Sequence, residues 1–139
     1  MTVCTHERKH IFSQVVNDIG NEKPALVLTE LGGIVNEVLR EMKDYKGMRA
    51  DAWIIMPDHI HIIIMKEATT DVALGEFVGA FKSVVTKRWR DRCNSCGVLM
   101  GKIWQRNYYD HILRNAGDYL EKVNYMANNP VRWCEENGW

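Results

Sequence analysis

No apolar run in this 139-residue chain approaches the roughly twenty residues of a membrane span. The N-terminus carries no basic segment followed by an apolar stretch and a small-residue cleavage site, so a cytoplasmic protein without a membrane partner is expected. Net charge is missing as well, with 18 Lys and Arg against 18 Asp and Glu. That balance argues against a chain coated in positive charge for a polyanion. Cysteine is sparse. Of Cys4, Cys93, Cys96 and Cys134 only the middle two form a C-x-x-C, and no second pair follows at zinc-site spacing. In a reducing compartment these remain thiols. No repeat, low-complexity tract or linker interrupts the chain, and one domain over residues 1–139 is expected.

Against that even background the charge is unevenly placed. Between Gly79 and Asn115 stand Lys82, Lys87, Arg88, Arg90, Arg92, Lys102, Arg106 and Arg114, opposed only by Asp91 and Asp110. One strip could hold phosphates while the whole stays neutral.

The local pattern alternates strands and helices. Thr2–Thr5 reads as a short strand, and Glu7 to Lys23 as loop with a helical turn near Ile11 to Val16. From Pro24 onward, Leu28, Leu31, Ile34, Val35, Val38, Leu39 and Met42 recur at three- and four-residue steps. That is an amphipathic helix ending near Gly47, with Gly32-Gly33 as its weak point. Met48–Met56 and His59–Met65 form a hairpin around Pro57-Asp58. Asp71 can cap a second helix bearing Leu74, Phe77, Val78, Phe81, Val84, Val85 and Trp89 on one face. Cys93 to Lys102 reads as loop. Ile103-Trp104 and Tyr108 to Leu113 suggest a broken strand. Asp118 could cap a last helix that stops before Pro130. The order fits an α+β, ferredoxin-like split β-α-β fold: an antiparallel sheet, the first two helices on one face, and a C-terminal helix carrying a tyrosine.

The chemistry concentrates in four places. In Asp58-His59-Ile60-His61-Ile62 the two histidines share one face of a strand while isoleucines fill the other. Side-by-side imidazoles suit a metal ion, although a hydrogen-bonded surface pair would look the same. In Tyr125-Met126-Ala127-Asn128-Asn129-Pro130, Tyr125 and Asn129 lie one helical turn apart. Asn129 offers an amide oxygen to a metal. Tyr125 offers a hydroxyl that a nearby cation or base could activate, or it is simply a boundary aromatic at a helix end. Trp104 to Arg114 supplies Tyr108 and Tyr109 as alternative nucleophiles and sets rings beside arginines, which suits stacking on unpaired bases. Finally, Lys82, Lys87, Arg88 and Arg90 fall on the solvent side of the second helix, where they form either a solvated face or a phosphate-holding one.

Taken together, these stretches resemble the single-tyrosine HUH transposases, and most closely their REP-associated tyrosine transposase branch. The His-hydrophobe-His motif is His59-Ile60-His61. Phe81-Lys82-Ser83, Trp104 to Ile112 and Tyr125 to Pro130 follow in the family's order. The resemblance implies a metal-dependent endonuclease and strand transferase acting on single-stranded DNA beside a hairpin (a REP-like repeat or an element end) through a 5′-phosphotyrosine intermediate. It implies Mg²⁺ or Mn²⁺ held by His59, His61 and Asn129, with Tyr125 as nucleophile. Lys82, Lys87, Arg88, Arg90, Arg106 and Tyr109 are the candidate DNA contacts, and a homodimer is conceivable. Three other readings compete: a non-catalytic binder of structured repeats, an HUH replication or mobilisation nickase, and an unrelated zinc domain using Cys93 and Cys96. This chain departs from the family in its neutral charge and its abrupt first strand.

Overall fold

The computed structural model describes residues 1–16 and 24–137. The elements are β1 (Thr2–Thr5), a 3₁₀ turn (His6–Arg8), β2 (Ser13–Val16), β3 (Ala25–Leu28), α1 (Glu30–Glu41), β4 (Met48–Ile55), β5 (His59–Lys66), α2 (Leu74–Cys96), β6 (Trp104–Tyr109), α3 (Ala116–Ala127) and α4 (Asn129–Glu136). The main sheet is antiparallel in the order β4-β5-β1-β6. With α1 and α2 as its crossovers, this is the expected ferredoxin-like arrangement.

The period-two alternation of β5 separates the two faces of the sheet. Ile60 and Ile62 are fully buried beside Leu31, Val35, Val38 and Leu39 of α1 and Phe81 and Val85 of α2. Burial of such a side chain contributes about 2 kcal/mol. On the opposite face, His59 and His61 meet the C-terminal helices. There a smaller core of Val15, Met56 and Cys134, flanked by Leu26, Ile54 and Trp133, ties α4 to the β2–β3 ribbon and to β4.

Several local expectations are corrected. Residues 25–28, read as the start of a helix, instead form β3, which pairs with β2 from Ser13↔Leu28 to Val16↔Ala25. The helical turn expected near Ile11 to Val16 is therefore strand at Ser13–Val16; the rest of that expected loop, residues 17–23, lies outside the described residues. Helix α1 begins only after Thr29, whose hydroxyl oxygen accepts from Gly32 N at 3.1 Å. Gly32 is no weak point. A Cβ there would lie 1.9 Å from the Phe12 carbonyl oxygen, so only glycine allows α1 to dock on that backbone. The α1 helix also ends at Glu41, well short of Gly47.

Helix α2 starts after Ala73 without a side-chain cap, so Asp71 does not cap it. It continues through Cys93 and Cys96 to Gly97, which closes it in the left-handed conformation. β6 is one unbroken strand that stops at Tyr109. Asn115, not Asp118, caps α3: its side chain accepts from Asp118 N at 2.9 Å, while the Asp118 carboxylate accepts from Arg114 N at 3.0 Å. Pro130 does not end the helical region. It sits in the first turn of α4, where its missing N–H costs nothing.

Candidate functional site

Strand alternation delivers His59 and His61 to one face with ring centroids 4.8 Å apart. Both rings are held from behind. His59 Nδ1 donates to Asp58 Oδ1 at 2.6 Å, and His61 Nδ1 shares a hydrogen bond of 2.8 Å with the Thr2 hydroxyl. Each ring therefore keeps its Nε2 free as a ligand atom, the arrangement in which a rear partner fixes ring orientation and tautomer. Asp58 in turn accepts from Arg8 Nε at 2.9 Å through its other oxygen. Burial alone would raise the Asp58 pKa. The hydrogen bond and charge of His59, followed by those of Arg8, outweigh it and hold the carboxyl below its ordinary range. Burial is also the main force on His61. With the positive charges of His59, Lys122, the terminal amine and Arg132, it pushes that imidazole down to about 3. His61 is thus neutral at physiological pH, as a metal ligand must be.

The C-terminal helices close over this face. Tyr125, on α3, places its ring 5.6 Å from that of His61. Asn128 keeps right-handed helical angles between α3 and α4, so Tyr125 and Asn129 retain their one-turn relation across the junction. Asn129 is buried, yet it lines the same cleft of about 250 Å³ as Thr2, Arg8, His59, His61, Tyr125, Arg132 and Trp133. Lys122 and Arg132 each stand 4.9 Å from the Tyr125 ring centroid.

This donor set fits a divalent cation that accepts nitrogen and oxygen ligands. Two imidazoles with oriented rings face a cleft that also presents a buried amide. Among the described residues no group of three His, Cys, Asp or Glu side chains could hold a metal. A third protein ligand beside the histidines would have to come from another residue type, and the buried amide of Asn129 is the one that lines the cleft. Among the described residues Cys93 and Cys96 join no such group. They lie on the last turn of α2, Cys93 buried and Cys96 exposed.

The other candidates are scattered. Tyr109 is exposed on the histidine side of the sheet, since Thr2 pairs with both His61 and Tyr109. Tyr108 lies on the other side, its hydroxyl close to Gly75 of α2. Lys82 is not on the solvent side as expected: it is half-buried and donates to Gln105 O at 3.0 Å. Arg88 makes a two-pronged ion pair with Glu41, which offsets its charge. Lys87, Arg90 and Arg106 are exposed, and none of the four α2 residues lines the cleft. The cleft's own cations, Arg8 and Arg132, and Lys122 beside the Tyr125 ring lay outside the sequence expectation. Lys122 was legible, three residues before Tyr125. Arg132 was hidden by reading Pro130 as a stop, and Arg8 lies 50 residues from its partner Asp58.

The chain is similar to several known proteins. The family model described as "Transposase IS200 like" matches residues 1–129. An uncharacterised Haemophilus influenzae protein is 28% identical across 98% of this chain and 81% of its own length. The REP-associated tyrosine transposase of Escherichia coli is 25% identical over 88% of this chain, which spans 65% of that relative's length. Among solved structures, a REP-associated tyrosine transposase bound to a REP hairpin superposes with a TM-score of 0.59 at 22% identity, covering 99% of this chain and 66% of the other. A candidate transposase from Deinococcus radiodurans gives 0.55 at 18% identity, covering 91% of this chain and 85% of the other. No helix among the described residues is long and apolar enough to cross a membrane. With nearly its whole length matched by the family model, the chain belongs to the IS200-like transposase family, among whose members it is similar to the REP-associated tyrosine transposases.

Proposed function

We propose that this protein cuts and rejoins single-stranded DNA beside hairpins, using Tyr125 as nucleophile in a metal-dependent site. The observation that carries the reading is the convergence of Tyr125, Asn129, His59 and His61 on one cleft. In this reading His59, His61 and Asn129 would hold a divalent cation, Mg²⁺ or Mn²⁺, which would supply charge neutralisation for the scissile phosphate.

The chain's residues do the rest. Asp58 and Thr2 keep the imidazoles oriented. Lys122 and Arg132 put positive charge where the phosphodiester must enter. Tyr125 Oη attacks phosphorus: the O–P bond forms, the bond to the 3′ oxygen breaks, and the proton lost from Oη is balanced by one gained at the free 3′-hydroxyl. The product is a 5′-phosphotyrosine that a second 3′-hydroxyl can reverse, so strand transfer needs no ATP. The hairpin preference rests on likeness to the relative solved with a REP hairpin.

The test is incubation of a hairpin-bearing single strand with the protein and Mn²⁺. Cleavage that stops on addition of EDTA is expected. Tight binding with no cleavage at any metal concentration would instead establish the non-catalytic binder.

A further inference from the structure

The turn joining β1 to β2 is strained where it meets the cleft. Glu7 and Arg8 both have φ of 55°, in the left-handed region that non-glycine residues avoid. The surrounding backbone over-determines this conformation. Thr5 N donates to Asp58 O at 3.0 Å, the Thr5 hydroxyl donates to Lys9 O at 2.9 Å, and His6 N donates to Ile103 O at 2.8 Å. Strain held in place in this way is a feature of sites that aim a side chain. Here it aims Arg8. Its Nε donates to Asp58 Oδ2 and its Nη1 to Cys4 Sγ at 3.0 Å, so two edges of the guanidinium are anchored. A guanidinium has five N–H donors in a rigid plane. Arg8 also lines the cleft, and its side chain is 54% exposed, so the unanchored donors are open to solvent.

The geometry points to Arg8 as a DNA-phosphate contact of the cleft, aimed by Asp58 and Cys4. The inference rests on the reading of the cleft as a DNA site. Its physical logic is twofold. An ionised Asp58 behind His59 would repel an entering phosphodiester, and Arg8 neutralises it. The remaining N–H groups then match phosphate oxygens, for which a planar guanidinium is better suited than an ammonium. A carboxylate-bound arginine with no further task would need neither the strained backbone nor a place on the cleft wall.

Binding of a fluorescently labelled, hairpin-bearing single strand, measured in EDTA over a salt series, tests this without any catalytic step. Arg8→Ala is expected to weaken binding severalfold at low salt. It should also reduce the slope of log Kd against log salt by about 0.7, the loss of one phosphate contact to a single strand. Arg8→Gln, which keeps a donor for Asp58 without the charge, should show the same loss of slope and covers the case in which the alanine variant fails to fold. Arg8→Lys should restore the slope. Arg40→Ala, on α1 at the other side of the sheet, should leave it unchanged. Wild-type slope and Kd in Arg8→Gln would overturn the contact, as would an equal loss in Arg40→Ala. So would a Gln variant that binds DNA normally but has lost affinity for Mn²⁺, which would reduce Arg8 to a support for Asp58. If the wild-type protein itself does not bind the strand, the DNA reading fails first and this inference falls with it.

Discussion

The two faces of β5 are built from alternate residues of one strand, yet they obey different physics. Ile60 and Ile62 are sealed under α1 and α2, where only volume and shape matter. His59 and His61 sit beneath α3 and α4, where Nδ1 of each ring is held by Asp58 or Thr2 and Nε2 is left without a protein partner. One face provides stability, and the other holds oriented imidazoles at a cost in desolvation, visible in the depressed pKa of His61. Substitutions on the two faces should therefore separate cleanly.

The largest effect is expected at the cleft mouth. Tyr125→Phe should lower covalent DNA adduct, read on denaturing gels, by about a thousandfold or more, with an unchanged melting temperature. A drop in both would mean that the faces are not independent. Next come the packed positions. Ile62→Ala should cost about 3 kcal/mol in urea unfolding, and Gly32→Ala a similar amount because its Cβ meets the Phe12 carbonyl. Both should retain wild-type Mn²⁺ affinity in the folded state. Asp58→Asn should lower Mn²⁺ affinity roughly 10- to 100-fold by loosening His59, measured by calorimetry, with little change in fold. The smallest effect is expected from Arg88→Ala. Its charge is already met by Glu41, so the salt slope of DNA binding should change less than for Arg8→Ala.

The same contrast explains what could be read in advance. The histidine face and the isoleucine face were legible because alternation along one strand is local, and the step of three and four in Leu31, Val35, Val38 and Leu39 is likewise local. Residues 25–28 misled because Leu28 continues that helical step, while the force that makes them a strand is pairing with Ser13–Val16. Tyr125 and Asn129 were legible as a one-turn pair, but not the second helix that carries Asn129, because Pro130 serves equally as a stop and as a first-turn residue. The basic run of α2 promised more than it delivers. Lys82 and Arg88 are engaged by Gln105 and Glu41, partners invisible to a count of charges. Arg8 gave no local signal at all, since its role depends on a turn folding back onto Asp58.

The central claim is that the tyrosine beside the histidines makes the covalent bond. Trapping the adduct on a suicide oligonucleotide with Mn²⁺, followed by tryptic digestion and mass spectrometry, addresses it most directly. The nucleotide should be found on the peptide running from Val123 to Arg132, attached to Tyr125. Attachment to Tyr108 or Tyr109, on the peptide ending at Arg114, would contradict the account.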